Sequence, residues 1–311
     1  MSAPATNHTE IPLLRVTLFL AAGMLTFGFA PILVRFTLET DPIALASLRT
    51  GFAVLMLFPF WFTRRTSIQE LKRNGVSQWL LVGAGVSLGA HFSFWIGSLH
   101  YTSVASASVL VTMHPVMLII AESLLFKKKF RLPVWIGVFL AFGGSVLLGL
   151  ADDSQMDQFP HALLGNGMAI TAAVVFVCYF LLGRKIRQHT EWIDYVFYVY
   201  LYASVTCALL SIISVGGIPQ ITLTAVWVGL ALAAGPTILG HGAMNYAVKY
   251  ISPTLLSTLV LSEAVVAAGA AYLIFSEVPS VLSIGAMSVI IAGVALTWTR
   301  RMVRRRPKGV K

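Results

Sequence analysis

The segment YTSVASASVLVTMHPVMLIIAESLLF, residues 101–126, decides how the rest of the 311-residue chain is read. It is written a second time, degenerately, as YISPTLLSTLVLSEAVVAAGAAYLIF at residues 250–275. The offset is 149 residues throughout: Tyr101 falls on Tyr250, Ser108 on Ser257, Val111 on Val260 and Phe126 on Phe275. At the same offset Arg35 meets Arg184 and Gly144 meets Gly293. A period of roughly 20–50 residues would mean stacked repeats. A period of half the chain means two copies of one unit packed against each other, and their seam is the place to look for function.

Working outward, the chain is 57% hydrophobic and only 11% charged, with a mean hydropathy of +0.83. Soluble domains carry about 25% charged residues, so this composition is that of an integral membrane protein. A membrane-crossing helix takes about 20 apolar residues. Ten segments qualify, at roughly 13–35, 42–62, 77–99, 102–126, 132–150, 162–183, 193–215, 223–247, 251–275 and 280–299. The expected fold is an all-α integral membrane protein, ten transmembrane helices arranged as two inverted five-helix repeats. The first repeat covers 13–150 and the second 162–299, between a tail at 1–12 and a basic tail at 300–311. The first apolar run, Ile11 to Val34, is long enough to span, which predicts a retained helix rather than a cleaved signal peptide. Cys178 and Cys207 lie inside apolar runs and read as small core residues, with no disulfide expected.

The formal charge of +10 first suggests an acidic partner, but its placement argues for membrane orientation instead. Twenty of the 22 Lys and Arg residues fall on one side of the ten spans, in Arg64–Arg73, Lys127–Arg131, Arg184–Arg187, Lys249, the tail from Arg300 onward and Arg15. The opposite side holds Arg35 and the acidic Asp152, Asp153 and Asp157. Basic loops stay cytoplasmic, so both termini are expected in the cytoplasm and nucleic-acid binding is not. Each half has five spans, and an odd number makes the second copy enter from the opposite side. An inverted repeat of this kind is a transporter signature, with the substrate site near the membrane midplane between the repeats.

These residues resemble the drug/metabolite transporter superfamily, specifically its EamA-type ten-span members. LASLRTGFAVLML at 45–57 is similar to that family's Leu-Arg-Phe opening of span 2, with Thr50 where an aromatic is usual. SLHYTSVASASVL at 98–110 with His114-Pro115, and GHGAMNYAVKYISPTLLS at 240–257 with Ser262-Glu263, resemble its span 3–4 and span 8–9 junctions. Glycines at 137, 144, 285 and 293 follow its pattern in spans 5 and 10. The chain departs from it with Thr26-Phe27 before Gly28, Ala264 in place of a proline, and Lys127 and Lys128 in place of an acidic span 4 end. The resemblance implies export or exchange of small metabolites, commonly amino acids, by alternating access.

Ionisable side chains at mid-membrane are costly and mark functional sites. His114 and Glu263 occupy equivalent positions at the 149 offset, each about a dozen residues from both ends of its helix, so they form the first candidate pair. A histidine beside a carboxylate suits a proton relay or recognition of a substrate amine; a glutamate that merely locks helices together is the structural alternative. Pro115 and Pro236 remove helix hydrogen bonds and are the expected kink or gating positions. His91, Trp95 and Ser98 share one face of span 3, and His241 and Asn245 share one of span 8, with Tyr179 a further cavity residue. The histidines lack metal-ligand spacing, so neither a metal nor any other cofactor is expected. Arg49, about seven residues inside span 2, reads as a snorkelling residue or a partner of Glu39 or Asp41, and alternatively as a carboxylate binder. Glu122 reads as the local partner of Lys127. Gly85 and Gly89 have the Gly-x-x-x-Gly spacing of close helix contact.

Taken together these features predict a secondary transporter of a bacterial cytoplasmic (inner) membrane with no catalytic residues. Its expected partners are a small-molecule substrate, the lipid bilayer and protons, in a monomer or a homodimer. The rivals are a membrane-embedded enzyme acting on a lipid-linked substrate and a passive channel. The enzyme reading finds no His-Glu-x-x-His, Gly-x-Ser-x-Gly or Gly-x-x-x-x-Gly-Lys-Ser/Thr in the sequence.

Overall fold

The computed structural model describes residues 13–37, 39–66, 68–99, 101–102, 104–151, 160–276 and 278–298, and every regular element among them is a helix. The two tails and the acidic loop of Asp152, Asp153 and Asp157 lie outside the described residues. In the first half, α1 (Leu13–Gly28) and α2 (Ala30–Arg35) form one interrupted column. They are followed by α3 (Pro42–Arg64), a short α4 (Ile68–Arg73), α5 (Gln78–Ser98), the pair α6 (Val104–Val111) and α7 (His114–Leu125), and α8 (Leu132–Ala151). The second half contains α9 (Ala162–Ile186), α10 (Trp192–Val215), and α11 (Leu223–Leu232), which runs through a π-helical stretch (Ala233–His241) into α12 (Gly242–Ala247). The pair α13 (Pro253–Val260) and α14 (Glu263–Phe275) and then α15 (Val281–Trp298) complete it.

Eight of the resulting segments are long and apolar enough to cross a membrane: Leu14–Val34, Pro42–Arg64, Gln78–Ser98, Ala162–Ile186, Trp192–Val215, Leu223–Ala247, Pro253–Ile274 and Val281–Trp298. Two further apolar helices, Val109–Leu125 and Leu132–Leu148, are shorter. The chain is a multi-pass membrane protein. Where the sequence predicts a continuous span at 102–126, the helix is interrupted at Thr112–Met113, between α6 and α7.

Local chemistry starts and stops these helices. Asp41 caps α3, its Oδ1 accepting from the Ala44 amide at 2.7 Å, with Pro42 at the first helical turn. Thr222 caps α11 in the same way, accepting from the Ala225 amide at 3.1 Å. Gly216 ends α10 at φ +65°, a left-handed conformation that glycine adopts without a Cβ penalty.

The α3, α5, α9 and α10 helices build the main core around Phe92, Ile96, Phe180, Tyr195, Val199 and Tyr200. Small residues let backbones approach: Gly85 and Gly89 of α5 lie directly against Tyr202, Ala203 and Thr206 of α10. The α8 and α15 helices make a second seam, and its contacts are reciprocal. Gly144 faces Ile290, while Gly293 faces Ala141; each pair is the other displaced by 149 residues. A Cβ on Gly293 would stand 2.4 Å from the Ala141 amide nitrogen, so this approach requires glycine. The same reciprocity recurs on the other side, where Gly97 faces Met168 and Tyr246 packs edge-on against Phe19 at 5.8 Å.

Candidate functional site

Three interruptions in the helices converge on the middle of the bundle. The first separates α6 from α7 and places His114 and Pro115 in the first turn of α7. The second separates α13 from α14 and places Glu263 in the first turn of α14. These breaks stand at the same position in the 149-residue repeat. The second has no proline, but both share a hydroxyl that bonds back onto the preceding turn. Thr112 Oγ1 donates to Val109 O at 3.0 Å, and Ser262 Oγ donates to Leu259 O at 2.5 Å. Such back-bonding competes with the helix ladder and bends it. The third interruption is the π-helical stretch, which holds Pro236, Thr237 and His241. Single π-helical turns inside α-helices mark functional sites frequently.

Around these interruptions lies a buried polar and aromatic cluster. Phe176 of α9 is its hub, with the rings of His114, His91 and His241 at 4.5, 4.9 and 6.4 Å from it. His241 is also edge-on to Phe27 at 4.8 Å and Phe92 at 5.0 Å. His91 Nδ1 lies 3.0 Å from the Ala172 carbonyl oxygen. The Tyr179 hydroxyl donates to Asn245 Oδ1 at 2.6 Å, joining α9 to α12. His114 Nδ1, His241 Nδ1 and Asn245 Nδ2 are buried without a hydrogen-bond partner among the described residues. Unpaired buried polar atoms are uncommon and costly; three in one cluster describe a place suited to hydrogen-bonding something else.

Arg49 completes the cluster from α3 and stands differently from its sequence reading. It is 2% exposed and reaches neither Glu39 nor the helix cap Asp41. Its Nε donates to Thr237 Oγ1 of the π-helical stretch at 3.0 Å, and its guanidinium lies 4.1 Å from the centre of the Phe92 ring. The backbone of the same Thr237 accepts from the Tyr200 hydroxyl at 2.8 Å. Glu263 lies in the electrostatic field of Arg49, and His114 in that of His91.

Of the other sequence candidates, Trp95 is half-buried against the main core, and Ser98 Oγ turns back to the Trp95 carbonyl at 2.7 Å. Glu122 binds Lys128 Nζ at 2.7 Å rather than Lys127, and its second oxygen accepts from the Thr254 amide at 3.0 Å across the two halves. Lys127 adopts φ +49°, which turns the chain so that Lys128 is the residue that returns to Glu122. At the end of α9, Arg187 Nε donates to Asn245 O at 3.0 Å, and Arg184 Nη1 donates to Val248 O and Ile251 O. Burial pulls the Arg187 pKa below its ordinary value, opposed by the nearby charge of Glu191. Sequence reasoning missed Thr237, Phe92, Tyr200 and the hub Phe176. Phe176, Tyr179 and Phe180 do share one face of span 6 at helical spacing, a signal that was available. Among the described residues no group of three or more His, Cys, Asp or Glu side chains is placed to hold a metal ion.

Apolar helices from both halves, closing on a buried cluster of histidines, aromatics and an arginine, define a multi-pass membrane protein. The chain belongs to the EamA-like transporter family, which matches residues 14–150 and again residues 163–299. It is 25% identical over 171 residues to the uncharacterized transporter YetK of Bacillus subtilis (strain 168), a match covering 55% of this chain and 52% of YetK, about half its length. It is 26% identical over 280 residues to the pseudopaline exporter CntI of Pseudomonas aeruginosa (strain UCBPP-PA14), covering 89% of this chain and 93% of CntI. A solved crystal structure superposes with a TM-score of 0.76 over 93% of this chain and 99% of its own, at 18% identity, and shares the fold. The family and these named relatives are transporters, not enzymes.

Proposed function

We propose that this protein is a secondary transporter that exports or exchanges a small amphipathic metabolite, an amino acid or a related compound, by alternating access. The observation that carries this reading is the central cluster. Residues from both halves meet there, and three of their polar atoms have no partner among the described residues. The proposed architecture is ten spans in two inverted five-span repeats, supported by the reciprocal contacts of α8 with α15 and by the matching helix breaks. The two shorter apolar helices would then be spans 4 and 5. Export as the direction takes support from the name of the Pseudomonas relative. The proposed setting is a bacterial cytoplasmic membrane with both termini inside, on the basis of the basic loops.

Counterflow in liposomes tests the function. Uptake of labelled L-amino acids should saturate and be stimulated by unlabelled substrate on the opposite side. Linear, unstimulated flux would make the protein a channel, and no flux of any amino acid would remove that substrate class. Orientation has its own test, a single cysteine at Asp153 in an otherwise cysteine-free chain. It should react with an impermeant reagent from outside intact cells, while one at Lys128 is spared; the reverse pattern overturns the orientation.

A further inference from the structure

We infer that Arg49 is the docking point for the carboxylate of the cargo; this rests on the transporter reading above. The guanidinium is held in the interior of α3 and is 2% exposed. It carries five N–H donors in a rigid fork. One of them, on Nε, is committed to Thr237, and the flat face is committed to Phe92. Among the described residues no carboxylate lies within ion-pair distance of it. Asp41, the acid nearest along its own helix, is occupied as the α3 cap and by the Ser211 hydroxyl. Glu39 is exposed.

Isolated buried charge is strongly unfavourable, by several kcal/mol even after relaxation. Glu263, from the first turn of α14 in the other half, is within electrostatic reach of it. A carboxylate matches the fork in two parallel hydrogen bonds, a geometry that lysine cannot reproduce. The surrounding groups fit the rest of such a cargo. His241 Nδ1 and Asn245 Nδ2 are unpartnered, and Phe27, Phe92 and Phe176 provide apolar walls around His241. Glu263, at the start of α14, is the partner offered to a cationic amine on the same molecule. The site is therefore built for a compound with a carboxylate, an apolar body and a second polar group.

The geometry of the π-helical stretch strengthens the assignment. Thr237 is fixed twice, its carbonyl by Tyr200 and its hydroxyl by Arg49. It thereby fixes the guanidinium plane from a helix of the opposite half, 188 residues away in sequence. A substitution at Thr237 leaves the Arg49 charge intact and loosens only its aim.

Matched pairs of ligands test this directly. L-leucine, L-phenylalanine, L-arginine and L-glutamate are compared with their α-amides, which keep the amine and side chain but lack the α-carboxylate. Thermal stabilisation of the purified protein and counterflow in liposomes are measured for wild type, Arg49→Lys and Thr237→Val, in chloride and in methanesulfonate buffers. The acids should stabilise and exchange in wild type, and the amides should be at least about tenfold weaker, the loss of roughly one good interaction. Both variants should raise the half-saturating concentration of the acids and narrow the gap between acid and amide. If Arg49→Lys melts too early to assay, Thr237→Val carries the test alone, because it retains the charge. Equal handling of acids and amides by wild type, or an unchanged gap in Thr237→Val, overturns the inference while saturable counterflow leaves the transporter reading standing. Stabilisation by chloride in place of the acids also overturns it, since the fork would then be a site for inorganic anions. Absence of counterflow for every compound removes the amino-acid substrate class of the proposed function, whereas counterflow without any acid-specific stabilisation removes this inference alone.

Discussion

Between α6 and α7 the chain reads Thr112-Met113-His114-Pro115; at the same place in the second half, between α13 and α14, it reads Leu261-Ser262-Glu263-Ala264. Both sites break the helix, and both do so beside a hydroxyl that bonds to the turn before it. The backbone event is thus common to both halves and does not depend on proline. The side chains that the breaks deliver are different. His114 is buried against Phe176 with an unpartnered ring nitrogen, whereas Glu263 is half-buried and in the field of Arg49. The helices that follow differ again. In α7, Glu122 binds Thr254 at the start of α13, and at the equivalent places α14 has Ala271 and α6 has Ala105. One fold element written twice delivers an imidazole in one half and a carboxyl group in the other.

The comparison depends first on the halves sharing one frame. Gly293→Leu should break it, because a side chain there collides with the α8 backbone; overpacking of this kind costs about 3 kcal/mol. The expected result is a large drop in melting temperature and loss of monodisperse protein in detergent. Melting like wild type would show that the α8–α15 approach does not hold the halves together. Next in size is Glu263→Gln, which keeps shape and removes charge. It faces Arg49 in a cluster that also holds His91, His114 and His241. Flux in liposomes should fall about tenfold, equivalent to about 1.4 kcal/mol, or lose its variation between about pH 5 and pH 8, at unchanged melting temperature. Wild-type transport across that range would make both breaks structural and erase the contrast.

Smaller effects sharpen it. Glu122→Ala leaves the Thr254 amide and hydroxyl without their acceptor and should destabilise by about 1–3 kcal/mol, read by thermal unfolding. Glu122→Gln should cost less, and it should spare flux more than Glu263→Gln does. A Glu122→Gln variant that transports worse than Glu263→Gln would reverse the assignment of roles. Smallest of all should be the exchange of the proline itself. Pro115→Ala and Ala264→Pro both fall in the first turn of a helix, where proline is tolerated, and each should change stability by less than about 1 kcal/mol. Hydrogen exchange should still report an open turn at Met113 in Pro115→Ala; protection there would mean that the proline, not Thr112, makes the break.

The spans were legible because apolar runs of sufficient length have few alternatives in water. The 149-residue echo likewise announced a two-part architecture before any contact was known. His91, His114 and His241 were legible for the complementary reason, that an ionisable residue in such a run needs an explanation. What the sequence hides is which partner wins. Arg49 lies close along the chain to Glu39 and Asp41, yet Asp41 is consumed by capping α3, and the arginine crosses to Thr237. Glu122 lies near Lys127, yet a left-handed turn at that lysine hands the contact to Lys128. The second helix break carries no proline to announce it, since a serine hydroxyl does the work from within an ordinary-looking apolar run. Phe176 could be placed on one face with Tyr179 and Phe180, but its role as a hub exists only once three other helices surround it.

Arg184 and Arg187 have a practical consequence for anyone who wants to re-engineer how this protein inserts. Moving loop charges is the usual way to flip a membrane protein, and by count these two look as expendable as Lys72 and Arg73, which stand exposed in the last turn of α4. They are not equivalent. Arg184 and Arg187 seal the carbonyl oxygens where α12 ends, so their removal uncaps a helix as well as shifting the charge balance. A charge-swapping design would do well to confine itself to the solvent-facing lysines and arginines. Otherwise a folding defect will be scored as an inverted topology.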